Sequence, residues 1–158
     1  MNIYDITDKL PKHSKKRYSS RKLCDIKSIA IHHSATSSGT PAAFARYHVS
    51  TNKWPGIGYH YVVLKDGTVF KCNPLSLMTY HVGKSNREAI GICLVGNFDA
   101  ETPPAAQLRT TQELIRTLRA AFPAGLKLKR HHDYPGYAYK SCPGSKFPWG
   151  KFKSDCGG

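Results

Sequence analysis

Five short apolar runs recur along the chain and predict β-strands. The first and fourth runs are continuously apolar, which is typical of strands covered on both faces of a sheet. The runs occupy residues 28–34, 59–64, 68–72, 89–98 and 126–132. Asp66-Gly67 lies between the second and third runs and predicts a hairpin, because this dipeptide adopts the tight turn between antiparallel strands.

Two segments between these runs carry start signals for helices. Thr40 is expected to cap a helix whose first residue is Pro41, and Thr102 and Pro103 repeat this signal before a second helix that ends at Pro123. Alternation of strands and helices predicts an α/β fold, with a central mixed β-sheet flanked by α-helices. One face of the second helix is expected to consist of Leu108, Thr111, Ile115, Leu118 and Phe122.

The chain length fits one domain. With 158 residues it can bury roughly 70% of its unfolded surface, so neither a disulfide nor a metal is needed for folding. We expect a basic N-terminal arm over residues 1–25, which has no hydrophobic periodicity, a catalytic domain over residues 26–150 and a C-terminal tail over residues 151–158. The arm is interpreted as solvated, or as a point of attachment to a polyanion.

The charge balance predicts a polyanionic partner. Lys and Arg number 24 against 10 Asp and Glu, a formal charge of +14. Nucleic acid, an anionic membrane surface and an anionic bacterial cell wall all fit, but no recognised nucleic-acid motif accompanies the charge, so specific nucleic-acid binding is not expected. The N-terminus lacks a signal-peptide core and no run reaches the ~20 apolar residues of a membrane span, so we expect synthesis as a soluble cytoplasmic chain.

Two histidine pairs and one cysteine could hold a metal. His32 and His33 end the first apolar run, His131 and His132 end the last, and Cys142 precedes Pro-Gly. Adjacent residues of a strand point to opposite faces, so only one histidine of each pair can join a common site. Two imidazoles and one thiolate suit Zn²⁺ and leave a fourth position open, the pattern of a catalytic zinc.

Other roles for the cysteines remain open at this point. Cys72 and Cys93 lie in apolar runs and are interpreted as buried free thiols. Cys142 could form a disulfide with Cys156, although a reducing cytosol would not favour it, or act as a thiol nucleophile paired with His131.

A general base is not evident. The H-E-x-x-H motif of many zinc hydrolases is absent, and no acidic residue has an obvious base's position. Lys140, two residues before Cys142, is a candidate cation beside a developing oxyanion, and Tyr59 is a candidate to orient water or stabilise charge.

Four ordered segments carry a family resemblance: IAIHHSAT, GIGYHYVVLKDGTVF, HVGKSNREAIGICLVGN and KRHHDYPGYAYKSCPG. Over residues 26–148 the chain resembles the zinc-dependent N-acetylmuramoyl-L-alanine amidases of the amidase-2 and peptidoglycan-recognition-protein superfamily, bacteriophage lysins of amidase type above all. The resemblance implies one zinc ion in a surface cleft at the sheet edge. It assigns the ligands to His32, His131 and Cys142, the catalytic roles to Tyr59 and Lys140, and groove-lining positions to His81 and Asn86.

The same resemblance implies a function. The expected reaction is hydrolysis of the amide bond between N-acetylmuramic acid and L-alanine of the stem peptide, by a monomer whose partners are peptidoglycan and anionic wall polymers. A phage lysin would act on the wall after release from the host cytoplasm, while a cytoplasmic recycling amidase and a non-catalytic peptidoglycan-binding module are the alternatives. The loop between His131 and Cys142 is longer than in the phage amidases, which could shift Lys140. Sugar-stacking faces are expected from Trp54, Tyr134, Tyr137 and Tyr139.

Overall fold

The fold is a six-stranded mixed sheet with helices on both faces. It was obtained as a computed structural model that describes residues 1–158. The strands are β1 (Ile3–Asp5), β2 (Ser28–His33), β3 (Tyr61–Val63), β4 (Val69–Lys71), β5 (Ala89–Leu94) and β6 (Lys127–Arg130). The helices are α1 (Pro41–Ser50), α2 (Ala105–Ala121) and α3 (Trp149–Asp155). The predicted α/β class and mixed sheet are confirmed, and no helix is both long and apolar enough to cross a bilayer.

The sheet order is β1-β4-β3-β5-β2-β6. Only the β3–β4 hairpin is antiparallel, and its turn contains Asp66-Gly67 as predicted. All other neighbours are parallel. The carboxyl ends of β2, β5 and β6 therefore lie at one edge of the sheet, and this edge carries the histidines.

Alternation along each strand divides the core between the two faces. Ile29 and Ile31 of β2 pack with α2 and α3 in the larger apolar cluster, whereas Ala30 points to the opposite face. Val62 and Cys93 also face that side, where they pack with Ala45 of α1. The interior strands read as continuously apolar because both of their faces are covered.

Two predicted boundaries were wrong for local reasons. Helix α2 begins at Ala105 after an N-cap at Pro104, not at Pro103. Pro103 precedes another proline, and a residue in that position is biased away from the helical region. Strand β6 ends at Arg130, and His131 opens a 3₁₀ turn, because the Asp133 carboxylate accepts the Arg130 backbone N–H at 2.9 Å.

Both chain termini pack on the domain, in contrast to the expected arm and tail. Strand β1 pairs with β4, and the side chains of Leu10 and Arg21 are buried. At the other end α3 starts before residue 151 and buries Phe152 and Cys156 in the larger apolar cluster. The first 25 residues are basic, but strand pairing, buried Leu10 and buried Arg21 attach them to the domain.

Candidate metal site

The two candidate ligand histidines lie at the carboxyl ends of neighbouring strands, at the same edge of the sheet. His32 is the fifth residue of β2 and His131 directly follows β6, its parallel neighbour. His33 points to the other face, where its Nδ1 accepts the Phe98 backbone N–H at 3.0 Å. His32 and His33 therefore lie on opposite faces of the sheet, as the strand geometry predicts. His132 directs its Nδ1 to the Lys140 carbonyl oxygen, at 2.7 Å.

Three ligand atoms converge at this edge. His32 Nδ1 lies 3.1 Å from His131 Nδ1 and 4.0 Å from Cys142 Sγ, and the three atoms lie within 4.8 Å of one another. Tetrahedral zinc, with bonds of ~2.0 Å to nitrogen and ~2.3 Å to sulfur, separates its ligand atoms by roughly 3.3–3.6 Å. The observed spacing brackets this range, and the donor set is borderline-soft, so these residues fit a zinc ion.

Hydrogen bonding directs the two expected ligand nitrogens towards each other. His32 directs its Nε2 to His81, so its Nδ1 faces His131. His131 Nε2 is buried and has no hydrogen-bond partner. A cation between the two Nδ1 atoms would accept a lone pair from each imidazole.

The ionisation of the ligands follows from their burial. Burial, with help from His81, His131, His33 and Lys140, holds the pKa of His32 well below its usual range. Burial, followed by Lys140 and His33, lowers the pKa of His131 to about 4. Both imidazoles are therefore neutral near pH 7, the state that binds metal.

Cys142 is a thiol in the metal-free protein. Burial raises its pKa to about 12, although the His33 backbone N–H and the Lys140 ammonium partly oppose this shift. Such a thiol is a poor nucleophile, and both Cys142 and Cys156 are free, so neither the nucleophile nor the disulfide alternative is supported. A metal that binds here must displace the thiol proton.

Asp99 holds the turn that carries Cys142, a role that sequence reasoning missed. Its carboxylate accepts the Ser141 hydroxyl at 2.9 Å and the Ser145 backbone N–H at 2.8 Å, one on either side of the cysteine. Gly144 fits against Phe98, where a Cβ would lie 2.4 Å from the Phe98 carbonyl carbon. These contacts join segments more than 40 residues apart, and no local pattern around Asp99 signals them.

Tyr59 lies beside the ligands with its hydroxyl protonated. Its ring centroid is 5.2 Å from that of His32. Burial, with the neighbouring Cys93 and Cys142 thiols, raises the pKa of Tyr59 well above its usual value. The side chain can therefore donate a hydrogen bond but cannot act as a tyrosinate base near neutral pH.

Lys140 lies close to the ligands despite the long loop before it. His132 closes this loop, because its backbone N–H donates to the Cys142 carbonyl at 3.1 Å and its Nδ1 lies 2.7 Å from the Lys140 carbonyl oxygen. The Lys140 ammonium is one cause of the lowered pKa values of His32 and His131. The loop thus leaves the exposed lysine beside the cluster.

His81 and Asn86 do not lie together in an open groove. His81 is buried behind His32, with its Nδ1 3.0 Å from His32 Nε2. The Asn86 side-chain oxygen accepts the backbone N–H groups of His81 and Val82, at 2.9 and 2.8 Å. The structure therefore places His81 behind a ligand, and substrate contact by Asn86 stays a prediction.

Two open clefts are lined by residues that neighbour the candidate ligands. One has a volume of about 600 Å³ and runs between α1 and the loop after β2, with Tyr59 in its wall. The other, of about 420 Å³, lies beside Lys140. The first is lined by Ser34, Thr36, Phe44, Tyr47, His48 and Tyr59, and the second by Arg130, His132, Tyr139, Lys140, Pro143 and Trp149.

Comparison with known proteins agrees with this geometry. Residues 22–145 match the Amidase_2 family, described as N-acetylmuramoyl-L-alanine amidase. An endolysin of Klebsiella phage KP32 is 34% identical over 95 residues, which cover 57% of this chain and 60% of the endolysin. Peptidoglycan recognition protein 1 of Bos indicus is 30% identical over 119 residues, covering 68% of this chain and 63% of that protein. The chain thus spans less than two thirds of the length of these relatives.

A solved structure extends the similarity to the whole chain. The N-acetylmuramoyl-L-alanine amidase LysC from Clostridium intestinale superposes with a TM-score of 0.79 and 26% identity, covering 99% of this chain and 98% of that one. The family match contains all three ligand positions, and the superposition includes the edge of the sheet where they meet. On this sequence match and this fold, the chain belongs to the N-acetylmuramoyl-L-alanine amidase family.

Proposed function

We propose that the protein is a zinc-dependent amidase that cleaves peptidoglycan between N-acetylmuramic acid and L-alanine of the stem peptide. The observation that carries the proposal is the convergence of one ligand atom each from His32, His131 and Cys142 within 4.8 Å, with the Tyr59 ring 5.2 Å from that of His32. These three residues would hold one zinc ion. A bound Zn²⁺ supplies Lewis-acid polarisation of the scissile carbonyl and an acidified water with a pKa near ~7.

The chain's own side chains would act on the charge that develops during hydrolysis. The exposed Lys140 ammonium would stabilise negative charge on the carbonyl oxygen. The protonated Tyr59 hydroxyl would donate a hydrogen bond to the attacking water or to the tetrahedral oxygen. Neither group needs to change its protonation state for this role, and the proton released by the attacking water would pass to the amine that leaves.

Substrate would occupy the two clefts whose walls neighbour the candidate ligands. The substrate has a sugar part and a peptide part joined at the scissile bond, and each cleft could receive one of them. Tyr139 is 78% exposed, lies next to Lys140, and stacks on Tyr137 at a centroid distance of 6.4 Å. It is therefore the aromatic residue best placed to stack on a sugar. Tyr134, in contrast, is only 2% exposed, and its hydroxyl is hydrogen-bonded to the Ser28 hydroxyl.

A variant of Tyr139 tests the sugar assignment. Tyr139→Ala should raise the KM for polymeric peptidoglycan about 2- to 10-fold, since one stacking contact is worth roughly 0.5–1.5 kcal/mol. Tyr139→Phe should retain the wild-type KM because the ring is preserved. Equal KM values for wild type and Tyr139→Ala would contradict a sugar-binding role.

The catalytic proposal is tested with purified protein and bacterial cell walls. The zinc-loaded protein should lower the turbidity of the walls and expose new L-alanine amino groups, and a chelator should abolish both effects until zinc is restored. Cys142→Ala should lose activity and bind zinc more weakly. Cys24→Ala, which removes an exposed thiol, is the matched control and should behave like wild type. Full activity of a zinc-free preparation would overturn the proposal.

A non-catalytic binding module is the second candidate, favoured by the similarity to peptidoglycan recognition protein 1. In this case the protein would cosediment with cell walls without releasing amino groups. The presence of Cys142, Tyr59 and Lys140 together supports the enzyme over the binding module. Cosedimentation and amine release measured on the same sample separate the two candidates.

An amidase of this kind would meet its partners at the bacterial cell wall. The charge of +14 would favour anionic wall polymers, without specific binding of nucleic acid. We propose that the protein works as a monomer and, as a phage lysin, reaches the wall after release from the host cytoplasm. A recycling amidase would instead act on soluble fragments, so the ratio of activity on intact walls to activity on soluble muramyl peptides distinguishes the two.

A further inference from the structure

A chain of hydrogen bonds extends from His32 into the protein, away from the open side of the site. His32 Nε2 lies 3.0 Å from His81 Nδ1, and His81 Nε2 lies 3.3 Å from the carbonyl oxygen of Ala89, the first residue of β5. Both histidines are buried, at 2% and 8% exposure. The contacts join a metal ligand to the sheet through one intervening imidazole.

The carbonyl at the end of the chain sets its direction. A carbonyl oxygen only accepts, so His81 Nε2 carries the proton and His81 Nδ1 is the acceptor. His32 must then donate through Nε2–H, which leaves its Nδ1 lone pair directed at His131 and Cys142. The tautomer of His32 that can bind metal through Nδ1 is therefore selected by a carbonyl that is two hydrogen bonds away.

The His81 ring is held in place from two sides. The Asn86 side-chain oxygen accepts the His81 backbone N–H at 2.9 Å. The ring also lies over Gly91 of β5, where an added Cβ would be 2.9 Å from His81 Nδ1. The position thus has room for the imidazole only because residue 91 has no side chain.

Arg21 anchors the same region from the N-terminal segment. Its Nη1 donates to the carbonyls of Asn86, Arg87 and Ala89 at 3.0, 3.0 and 2.8 Å. The Ala89 carbonyl therefore accepts from both Arg21 and His81. Arg21 has no carboxylate partner in this set, so the guanidinium is bound by backbone oxygens of the segment that carries Asn86 and begins β5.

We propose that His81 is a positioning residue that fixes the tautomer and orientation of the metal ligand His32, and that Arg21 holds His81 in register from the N-terminal segment. The inference rests on the proposed function only in that it needs a metal at this site. It gives the first 25 residues a role at the metal site, in addition to the charge that they carry.

Metal affinity measures this role directly. In His81→Phe the His32 Nε2–H loses its acceptor, and the affinity for Zn²⁺ in competition with a chromophoric chelator should fall about 10–100-fold. His81→Asn restores an acceptor at the position of Nδ1 and should bind Zn²⁺ about tenfold more tightly than His81→Phe. Gly91→Ala, which displaces the ring but keeps the imidazole, should weaken binding like His81→Phe.

Control measurements separate positioning from a general loss of structure. Thr79→Val changes a buried hydroxyl that has no hydrogen-bond partner, two residues from His81, and should keep the wild-type affinity. Circular dichroism and the unfolding midpoint of the zinc-free variants report folding. Co²⁺ spectra add a second readout, because the visible bands change if His32 no longer binds while the thiolate band shows that Cys142 still does.

The outcomes distinguish this inference from the proposed function. Zn²⁺ affinity equal to wild type in a folded His81→Phe variant would overturn the positioning role and leave the amidase proposal intact. His81→Asn that binds no better than His81→Phe would overturn the role of the acceptor atom. Wild-type protein that binds neither Zn²⁺ nor Co²⁺ would overturn the metal site, and this inference with it.

Discussion

Lys140 carries an exposed positive charge beside the three candidate ligands, and its effect on catalysis can be separated from any effect on metal binding. Lys140→Met should reduce kcat about 10²–10³-fold, because the ammonium would stabilise negative charge that develops only in the transition state. Zinc affinity should be close to wild type. Lys127→Met is the matched control, since Lys127 begins β6 at the end opposite the site. A loss in zinc affinity that accounts for the whole loss in activity would contradict this role.

Two buried histidines outside the ligand set predict acid sensitivity. Burial lowers the pKa of His48 to about 4, and burial together with Arg21 lowers the pKa of His60 to about 3. In the unfolded chain these histidines bind protons near pH 6.5, whereas in the folded protein they stay neutral to lower pH. The free energy of unfolding is therefore unaffected by them above pH 6.5 and declines as the pH falls towards 4. Each proton contributes a slope of about 1.4 kcal/mol per pH unit to the free energy of unfolding.

Urea unfolding at several pH values tests this expectation. His48→Asn places an oxygen where His48 Nδ1 accepts the Gly58 backbone N–H at 2.9 Å, and it removes one titrating group. The pH slope of the free energy of unfolding should therefore decrease by one proton between pH 6 and 4.5, roughly 1.4 kcal/mol per pH unit. An unchanged slope would show that His48 does not titrate differently in the folded protein.

The N-terminal segment is an element of the domain rather than a free arm, and Arg21 is its main attachment. Arg21→Met would leave several buried carbonyls without a donor, and we expect a loss of about 3 kcal/mol in the free energy of unfolding. Arg17 lies four residues earlier, and its exposed guanidinium donates hydrogen bonds only to the backbone carbonyls of His13 and Lys16. Arg17→Met should therefore change the free energy of unfolding by less than about 0.5 kcal/mol. Equal effects of the two variants would contradict the anchoring role.

The net charge of +14 acts at the scale of the whole molecule. Attraction to anionic wall polymers should weaken as salt shortens the Debye length, from ~30 Å at 0.01 M to ~8 Å at 0.15 M. The KM for intact walls should therefore rise with salt, while the rate on a soluble muramyl peptide should stay nearly constant. If both substrates respond equally, salt acts on the site itself and not on association with the wall.

Much of the domain was predictable from local pattern. The β3–β4 hairpin follows from Asp66-Gly67, and α1 starts at Pro41, where the Thr40 hydroxyl accepts the Ala43 N–H. The errors came from competing local effects and from distant contacts. Helix α2 begins only after Pro104, and Phe152 of the expected tail is buried in the core.

The sequence by itself predicted the mixed α/β fold, the family and three candidate ligands, because hydrophobic periodicity is local and the motifs can be read from the order of residues. Only the tertiary structure decided the rest. It places His32 Nδ1 3.1 Å from His131 Nδ1. It also shows that Asp99 binds the turn that carries Cys142 and that His81 lies behind His32. These relations depend on hydrogen bonds between strands and loops that are distant in sequence, and no local pattern encodes which buried donor meets which acceptor.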